Sequence, residues 1–228
     1  MKQVALRIVT FTLWLASFSA AADAIKATDL PTDFFGLVAH LAQSENSVGF
    51  AVAVVRAGEI DFIKTYGKRE VSSNEAIDEN TTFRIASLSK GMTATVVAQL
   101  LREQQIDLDM PVSDFSPELL LSSPDATQSL TLEHLLSHRT GLPPNAYDNL
   151  LEAGFSPAKI RQRYPEVEPI CSVGTCYAYQ NIAFDAVTPL IESVEGQRLA
   201  VSLENRLFAP LNMTRTSVGH DGLIKDDN

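Results

Sequence analysis

Strand-forming residues are concentrated in one place, and that limits the fold more than any other feature of this chain. Residues 48–55 and 60–66 are rich in β-branched and aromatic side chains. They are separated by Arg56-Ala57-Gly58-Glu59, which predicts one β-hairpin. A hairpin alone is marginal in water and needs further strands or a covering helix. The remaining sequence reads as helix. Residues 31–42 carry apolar side chains at positions 34, 35, 37, 38 and 41. The pattern turns helical again past Gly67, and its longest periodic stretch, 85–101, is apolar at 85, 88, 92, 96, 97, 100 and 101. Shorter helices are expected over 131–137, stopped by Gly141 and Pro143-Pro144, over 181–194 with Gly196 as the stop, and over 199–208 before Pro210. There is no internal repeat and no low-complexity segment. The expected class is α/β (α+β), an antiparallel sheet with a helical part, and the sheet looks short of strands.

Charge and cysteine content narrow the function. The 228 residues hold 28 acidic and 18 basic side chains, a formal net charge of −10. A nucleic-acid partner is excluded on this balance, because phosphate binding needs clustered Lys and Arg. With 45% hydrophobic and 20% charged residues, disordered and fibrous classes drop out too. Two cysteines are too few for a disulfide-built scaffold or a four-thiolate zinc site. The start of the chain has Lys2 and Arg7 without an acid, then a mostly apolar run ending in Ser19-Ala20-Ala21-Ala22. That is the pattern of a secretory signal peptide, cut after Ala21, Ala22 or Ala24. The apolar run falls short of the roughly 20 residues that span a bilayer. The expected division is a signal peptide over 1–22 and a secreted or periplasmic protein over 23–228, without stable membrane insertion. In an oxidising compartment Cys171 and Cys176 are a disulfide candidate, and so short a loop would add roughly 2 kcal/mol. The alternative is a pair of packed thiols.

The chemistry-bearing pattern is Ser87-Leu88-Ser89-Lys90 at the start of the long helix. Residues i and i+3 share a helix face, so Lys90 can reach the Ser87 hydroxyl. Serine needs a base to become a nucleophile, and a lysine amine serves once its pKa is depressed. The helix start also offers the Ser87 N–H as an oxyanion donor. Ser156-Pro157-Ala158-Lys159 has the same spacing, but reads as an N-cap and first-turn proline opening a short polar helix. Tyr179-Gln180-Asn181 adds a phenol that can shuttle protons beside a lysine and an amide that can hold a substrate and the lysine. Tyr147-Asp148-Asn149 repeats that pattern within a Pro/Asn-rich turn, where such residues are common for backbone reasons.

Together these segments resemble the serine β-lactamase and penicillin-binding protein family, in its class C β-lactamase, D,D-peptidase and esterase branch. The likeness runs in order from residue 48 to 216. It takes in the hairpin, Phe83-Arg84-Ile85-Ala86-Ser87-Leu88-Ser89-Lys90, His134-Leu135-Leu136-Ser137-His138-Arg139-Thr140-Gly141-Leu142, the Tyr179 motif and Pro210-Leu211-Asn212-Met213. The resemblance implies a β-lactamase/transpeptidase-like fold, acylation of Ser87, proton transfer by Lys90 and Tyr179, and contact of Asn181 with a substrate amide. It implies no metal or organic cofactor, and a small-molecule or peptide substrate with a β-lactam, peptide or ester carbonyl. The family also carries a Lys-Thr-Gly or His-x-Gly motif on a strand beside the site. The two look-alikes, Arg139-Thr140-Gly141 and His220-Asp221-Gly222, stand in a helix-turn landmark and in a polar tail. Two readings follow: a serine hydrolase, or a C-terminally truncated, non-catalytic remnant that at best binds ligand weakly.

Overall fold

The computed structural model describes residues 33–43 and 47–224, so the signal-peptide reading of 1–22 lies outside the described residues. The described residues fall into two compact units, the first ending at Thr81 and the second beginning at Thr82.

In the first unit, Asp33 caps helix α1 (Phe34–Ala42) by accepting from the Gly36 N–H at 2.7 Å. Such a side chain satisfies one of the N–H groups that a helix start leaves unpaired. Strands β1 (Gly49–Arg56) and β2 (Glu59–Gly67) pair antiparallel from Gly49 opposite Gly67 to Arg56 opposite Glu59, with an irregularity at Val54/Val55. Ala57 and Gly58 close the hairpin with φ of 52° and 85°. A two-residue turn with both φ positive matches the twist of the flanking strands. The Phe62 ring lies 5.8 Å from that of Phe34 and 5.0 Å from that of Phe35. The helical pattern expected past Gly67 is not what forms there. Lys68 N–H donates to the Val48 carbonyl at 2.8 Å and Ile77 N–H to that of Gly67 at 3.1 Å. Between and just beyond them, oxygens of Ser73, Asp78 and Thr81 accept backbone N–H groups within three residues. Short polar side chains that bond locally compete with the helical ladder, and here they win.

The second unit opens on a 3₁₀ turn, Ala86–Leu88, that runs into helix α2 (Ser89–Arg102). The buried residues of α2 are Thr93, Val96, Val97 and Leu100, one face at helical spacing. Ile85 and Leu88, counted in the apolar stripe from sequence, are 37% and 74% exposed because they precede the regular helix. Short helices α3 (Pro124–Ser129) and α4 (Leu132–Leu136) follow, the latter opened by a reciprocal Thr131–His134 capping box. Then come α5 (Asp148–Glu152), α6 (Pro157–Arg161) and α7 (Val187–Glu195), the last ended by Gly196 at φ 65°. Residues 181–186, expected to begin that helix, form a looser turn with a 3₁₀ segment at Phe184–Ala186. Helix α8 (Leu199–Leu203) widens into a π turn over Glu204–Phe208, and α9 (His220–Ile224) is a single short helix. Leu100, Leu130, Leu132, Ile160, Ile182 and Ile191 are each at most 1% exposed and belong to one hydrophobic core. Among the described residues the sheet has two strands, and no helix is long and apolar enough to cross a membrane.

Candidate active site

Ser87 stands in the 3₁₀ turn just before α2, directly after Ala86, whose φ is 46°. A left-handed alanine costs about 1–2 kcal/mol. It turns the chain sharply enough to leave the Ser87 side chain exposed at the helix mouth. Ser89 Oγ donates to the Ala86 carbonyl at 2.7 Å and holds that turn. Lys90, in the first turn of α2, donates from Nζ to Ser87 Oγ at 3.1 Å and to Asn181 Oδ1 at 2.6 Å. The same ammonium lies 4.9 Å from the Tyr179 ring centroid and 5.6 Å from that of Phe184. Aromatic faces attract a cation and restrict where it can sit.

Tyr179 and Asn181 reach this site from an extended segment laid along residues 138–145. Ile170, Gly174 and Ala178 N–H groups donate to the carbonyls of Gly141, Arg139 and His138 at 2.9, 2.8 and 2.9 Å. Asn145 N–H returns a bond to the Tyr179 carbonyl at 2.9 Å. In extended backbone, residues two apart face the same side. Gln180 therefore points away: it is 1% exposed, and its Nε2 donates to the Leu142 and Pro143 carbonyls at 3.4 and 2.5 Å. Tyr179 and Asn181 point together toward Lys90, and Tyr179 OH donates to Ser87 Oγ at 2.6 Å. Gly141 makes the close pairing possible, since a Cβ there, at φ 84°, would lie 2.6 Å from the Cys171 carbonyl oxygen. Cys171 and Cys176 are bonded as a disulfide with Cα atoms 6.2 Å apart, closing a small loop before Tyr179.

Two of the groups gathered here have shifted titrations. Burial acts to raise the Tyr179 phenol, but hydrogen bonds with Lys90 and Ser87 and the lysine's charge outweigh it, so its pKa lies below the ordinary tyrosine value. His138, whose ring centroid is 4.6 Å from that of Tyr179, is held below the usual imidazole range by burial and then by the Lys90 charge. A neutral ring suits its other bond, in which Nδ1 accepts from the Gln180 N–H at 3.2 Å.

The structure thus gathers Ser87, Lys90, Tyr179 and Asn181 around one point. It also places a residue there that sequence reasoning set aside: Asp148 Oδ2 accepts from Asn181 Nδ2 at 2.6 Å. The available signal was its position inside Tyr147-Asp148-Asn149, which reads as a turn. The chain does turn there, with Tyr147 at φ 62°, and that turn delivers the carboxylate. Ser156 occupies the N-cap position of α6 without a side-chain capping bond. That helix is not the polar one expected, for Ile160 and Arg161 are buried. Of the third-motif look-alikes, Arg139-Thr140-Gly141 forms the turn after α4 and His220-Asp221-Gly222 lies in α9, so neither is on a strand. No group of three metal-ligating side chains occurs among the described residues. A cavity of about 660 Å³ lined by Ala126, Thr140, Val167, Ile170 and Cys171 contains none of the clustered site residues.

Fold and site define a class: a mixed helical and antiparallel-sheet protein in which a helix opens on a serine held between a lysine amine and a tyrosine hydroxyl. Solved structures share the architecture. The octameric penicillin-binding protein homologue from Pyrococcus abyssi matches with a TM-score of 0.69 at 23% identity, covering 79% of this chain and 42% of that one. The β-lactamase/D-alanine carboxypeptidase from Yersinia pestis matches with a TM-score of 0.61 at 23% identity, covering 76% and 50%. The fold is therefore β-lactamase/transpeptidase-like. In sequence, the esterase EstB of Burkholderia gladioli is 26% identical over 212 residues, 87% of this chain and 54% of that protein. The chain spans about half or less of the length of the curated relatives it matches. The sequence model of the Beta-lactamase family matches residues 34–225, and the chain belongs to that family.

Proposed function

We propose that the protein is an exported serine hydrolase that forms an acyl-enzyme on Ser87 with an ester, peptide or β-lactam carbonyl. One observation carries this reading: Ser87 Oγ lies 3.1 Å from Lys90 Nζ and 2.6 Å from Tyr179 OH. A nucleophile and its base have to stand within hydrogen-bond reach. Tyr179 as phenolate, or Lys90 as free amine, takes the Ser87 proton while Oγ attacks the carbonyl carbon. The Ser87 N–H, at the opening of its turn, donates to the oxyanion that develops. Collapse of the tetrahedral adduct returns the proton to the leaving alcohol or amine, leaving the acyl ester on Ser87. Water then attacks in the same way, giving up a proton to the same base and releasing the acid. Asn181, held between Lys90 and Asp148, keeps a second amide hydrogen that can meet a substrate carbonyl. Support for the substrate classes comes from the relatives, an esterase and a β-lactamase/carboxypeptidase. Support for export is the character of residues 1–22 and the disulfide between Cys171 and Cys176.

The test is to incubate purified protein with a fluorescent penicillin, nitrocefin and p-nitrophenyl acetate, alongside Ser87→Ala. Labelling or turnover that disappears in Ser87→Ala is expected. Absence of both in a sample folded by circular dichroism would overturn the hydrolase reading and favour the non-catalytic one.

A further inference from the structure

We propose that Asp148 is a positioning residue of this site: its carboxylate holds the Asn181 amide so that the amide oxygen always faces Lys90. This rests on the hydrolase reading for its consequence, though not for its geometry. An amide side chain can be rotated end for end, presenting either its oxygen or its NH₂ group to a given neighbour. Here both neighbours demand one orientation. Lys90 Nζ is a donor and meets Asn181 Oδ1 at 2.6 Å; Asp148 Oδ2 is an acceptor and meets Asn181 Nδ2 at 2.6 Å. The result is a line of alternating acceptors and donors from carboxylate through amide and amine to the Ser87 hydroxyl. With one N–H bonded to Asn181, the lysine turns another toward Ser87.

The carboxylate is poorly explained as a stabilising group. Asp148 Oδ1 is buried and has no hydrogen-bond partner among the described residues. A buried acceptor left unpaired costs about 1–3 kcal/mol. An apolar residue would avoid that cost, so the acid serves the line of hydrogen bonds rather than the core. The backbone delivers it with care. Asp148 N–H donates to the Asn145 carbonyl at 3.1 Å, and Asn145 N–H is bonded to the Tyr179 carbonyl, so the turn at 145–148 is fastened to the same segment that carries Asn181. The titratable groups that face the Tyr179 hydroxyl and ring are Lys90 and His138, with Asp148 acting through space to oppose ionisation of the phenol.

Two variants separate the possibilities. Asp148→Leu keeps the branched shape in a larger side chain and removes the acceptor; Asp148→Asn is nearly isosteric, keeps an acceptor and removes the charge. The full chain is used, and the rate of Ser87 acylation by p-nitrophenyl acetate is measured across pH. A slackened lysine should lower that rate about 10- to 100-fold in Asp148→Leu, with little change in half-saturating substrate. Asp148→Asn should restore most of the rate, and its acid limb should move to lower pH, because removing the charge lets Tyr179 ionise more readily. A second measurement needs no activity: hydrogen exchange of the Asn181 side-chain NH₂, assigned in ¹⁵N spectra by its loss in Asn181→Ala. It should be slow in the parent and Asp148→Asn and at least about tenfold faster in Asp148→Leu. Parental acylation rate and parental exchange in Asp148→Leu would overturn the proposal. Should the parent fail to acylate at all, the hydrolase reading falls, while the exchange measurement still decides whether Asp148 holds the amide.

Discussion

Arg161 is the strongest test of how the second unit is held around the site. Its side chain is 4% exposed and ion-paired to Glu118 at 2.6 Å and to Asp185 at 2.9 Å. It also donates to the Ile182 carbonyl at 3.4 Å, one residue beyond Asn181. Arg161→Leu keeps much of the volume but leaves two carboxylates without their cation. Breaking a buried pair in this way costs about 3–5 kcal/mol. Glu118 and Asp185 are 22% and 43% exposed, so both can partly rehydrate. That lowers the expected loss to about 2–4 kcal/mol. For a domain of this size it corresponds to a drop of roughly 5–15 °C in Tm. Urea unfolding followed by circular dichroism measures it, and Glu118→Gln in the same background should recover part of the loss through coupling of roughly 1 kcal/mol or more. The pH dependence gives a further check. Burial raises Glu118, but hydrogen bonds from Ser116, its own backbone and Arg161 win, so its folded pKa is depressed. A depressed carboxylate stabilises the fold above its unfolded pKa, and that stability is lost as pH falls through the folded value. The gap between parent and Arg161→Leu should therefore narrow below about pH 4. A loss under about 1 kcal/mol, or a gap unchanged from neutral to acid pH, would refute the reasoning.

Tyr179→Phe should retain the ring contacts with Lys90 and His138 while removing the 2.6 Å bond to Ser87, lowering Ser87 acylation by about 10²- to 10⁴-fold. Because the phenol is held below its ordinary value, the parent rate should rise through that lowered pKa as pH increases, and the rise should vanish in the variant. Ala57 sits at φ 52° in the hairpin turn, so Ala57→Gly should stabilise the first unit by about 0.5–1 kcal/mol, read as a higher urea midpoint of hairpin unfolding. Intact mass after alkylation without reductant should show no modified cysteine, and reduction should cost roughly 2 kcal/mol of stability in the second unit.

What could be read from sequence was what short-range pattern determines. The hairpin and its turn followed from two runs of β-branched and aromatic residues either side of Ala57-Gly58, and the Ser87–Lys90 pair from the helical repeat. The Tyr179–Asn181 pair was legible from its side chains, a phenol and an amide two positions apart, but the extended backbone that turns both to one side was not. What stayed hidden depends on segments far apart in sequence. Asp148 and Asn181 are separated by 33 positions, and no periodicity links them. His138 lies among landmark residues without any sign that its ring would rest against Tyr179. The stretch after Gly67 failed for a local reason, since its Ser, Asp and Thr oxygens capture backbone N–H groups that a helix would have used. Helix α7 begins later than periodicity indicates: the Asn181 carbonyl accepts one helix-type bond from the Asp185 N–H at 3.1 Å, but the tighter 3₁₀ segment Phe184–Ala186 intervenes before the regular helix starts at Val187.

The segment carrying Tyr179 differs sharply along its length in how it would tolerate insertion. Its disulfide loop is anchored at both ends, by Ile170 on Gly141 and by Ala178 on His138. Residues added at the exposed Ser172 or Thr175 would lengthen the loop around the Gly174–Arg139 bond and leave the two outer anchors, and the phenol beyond them, in place. A single residue added between Ala178 and Asn181 would act very differently. Side chains alternate there, so a shift of one would turn a site residue into the interior and bring the buried glutamine out in its stead. Length variation in natural or engineered versions of this chain is expected to collect in the stapled loop and to be absent from the three residues that follow Ala178.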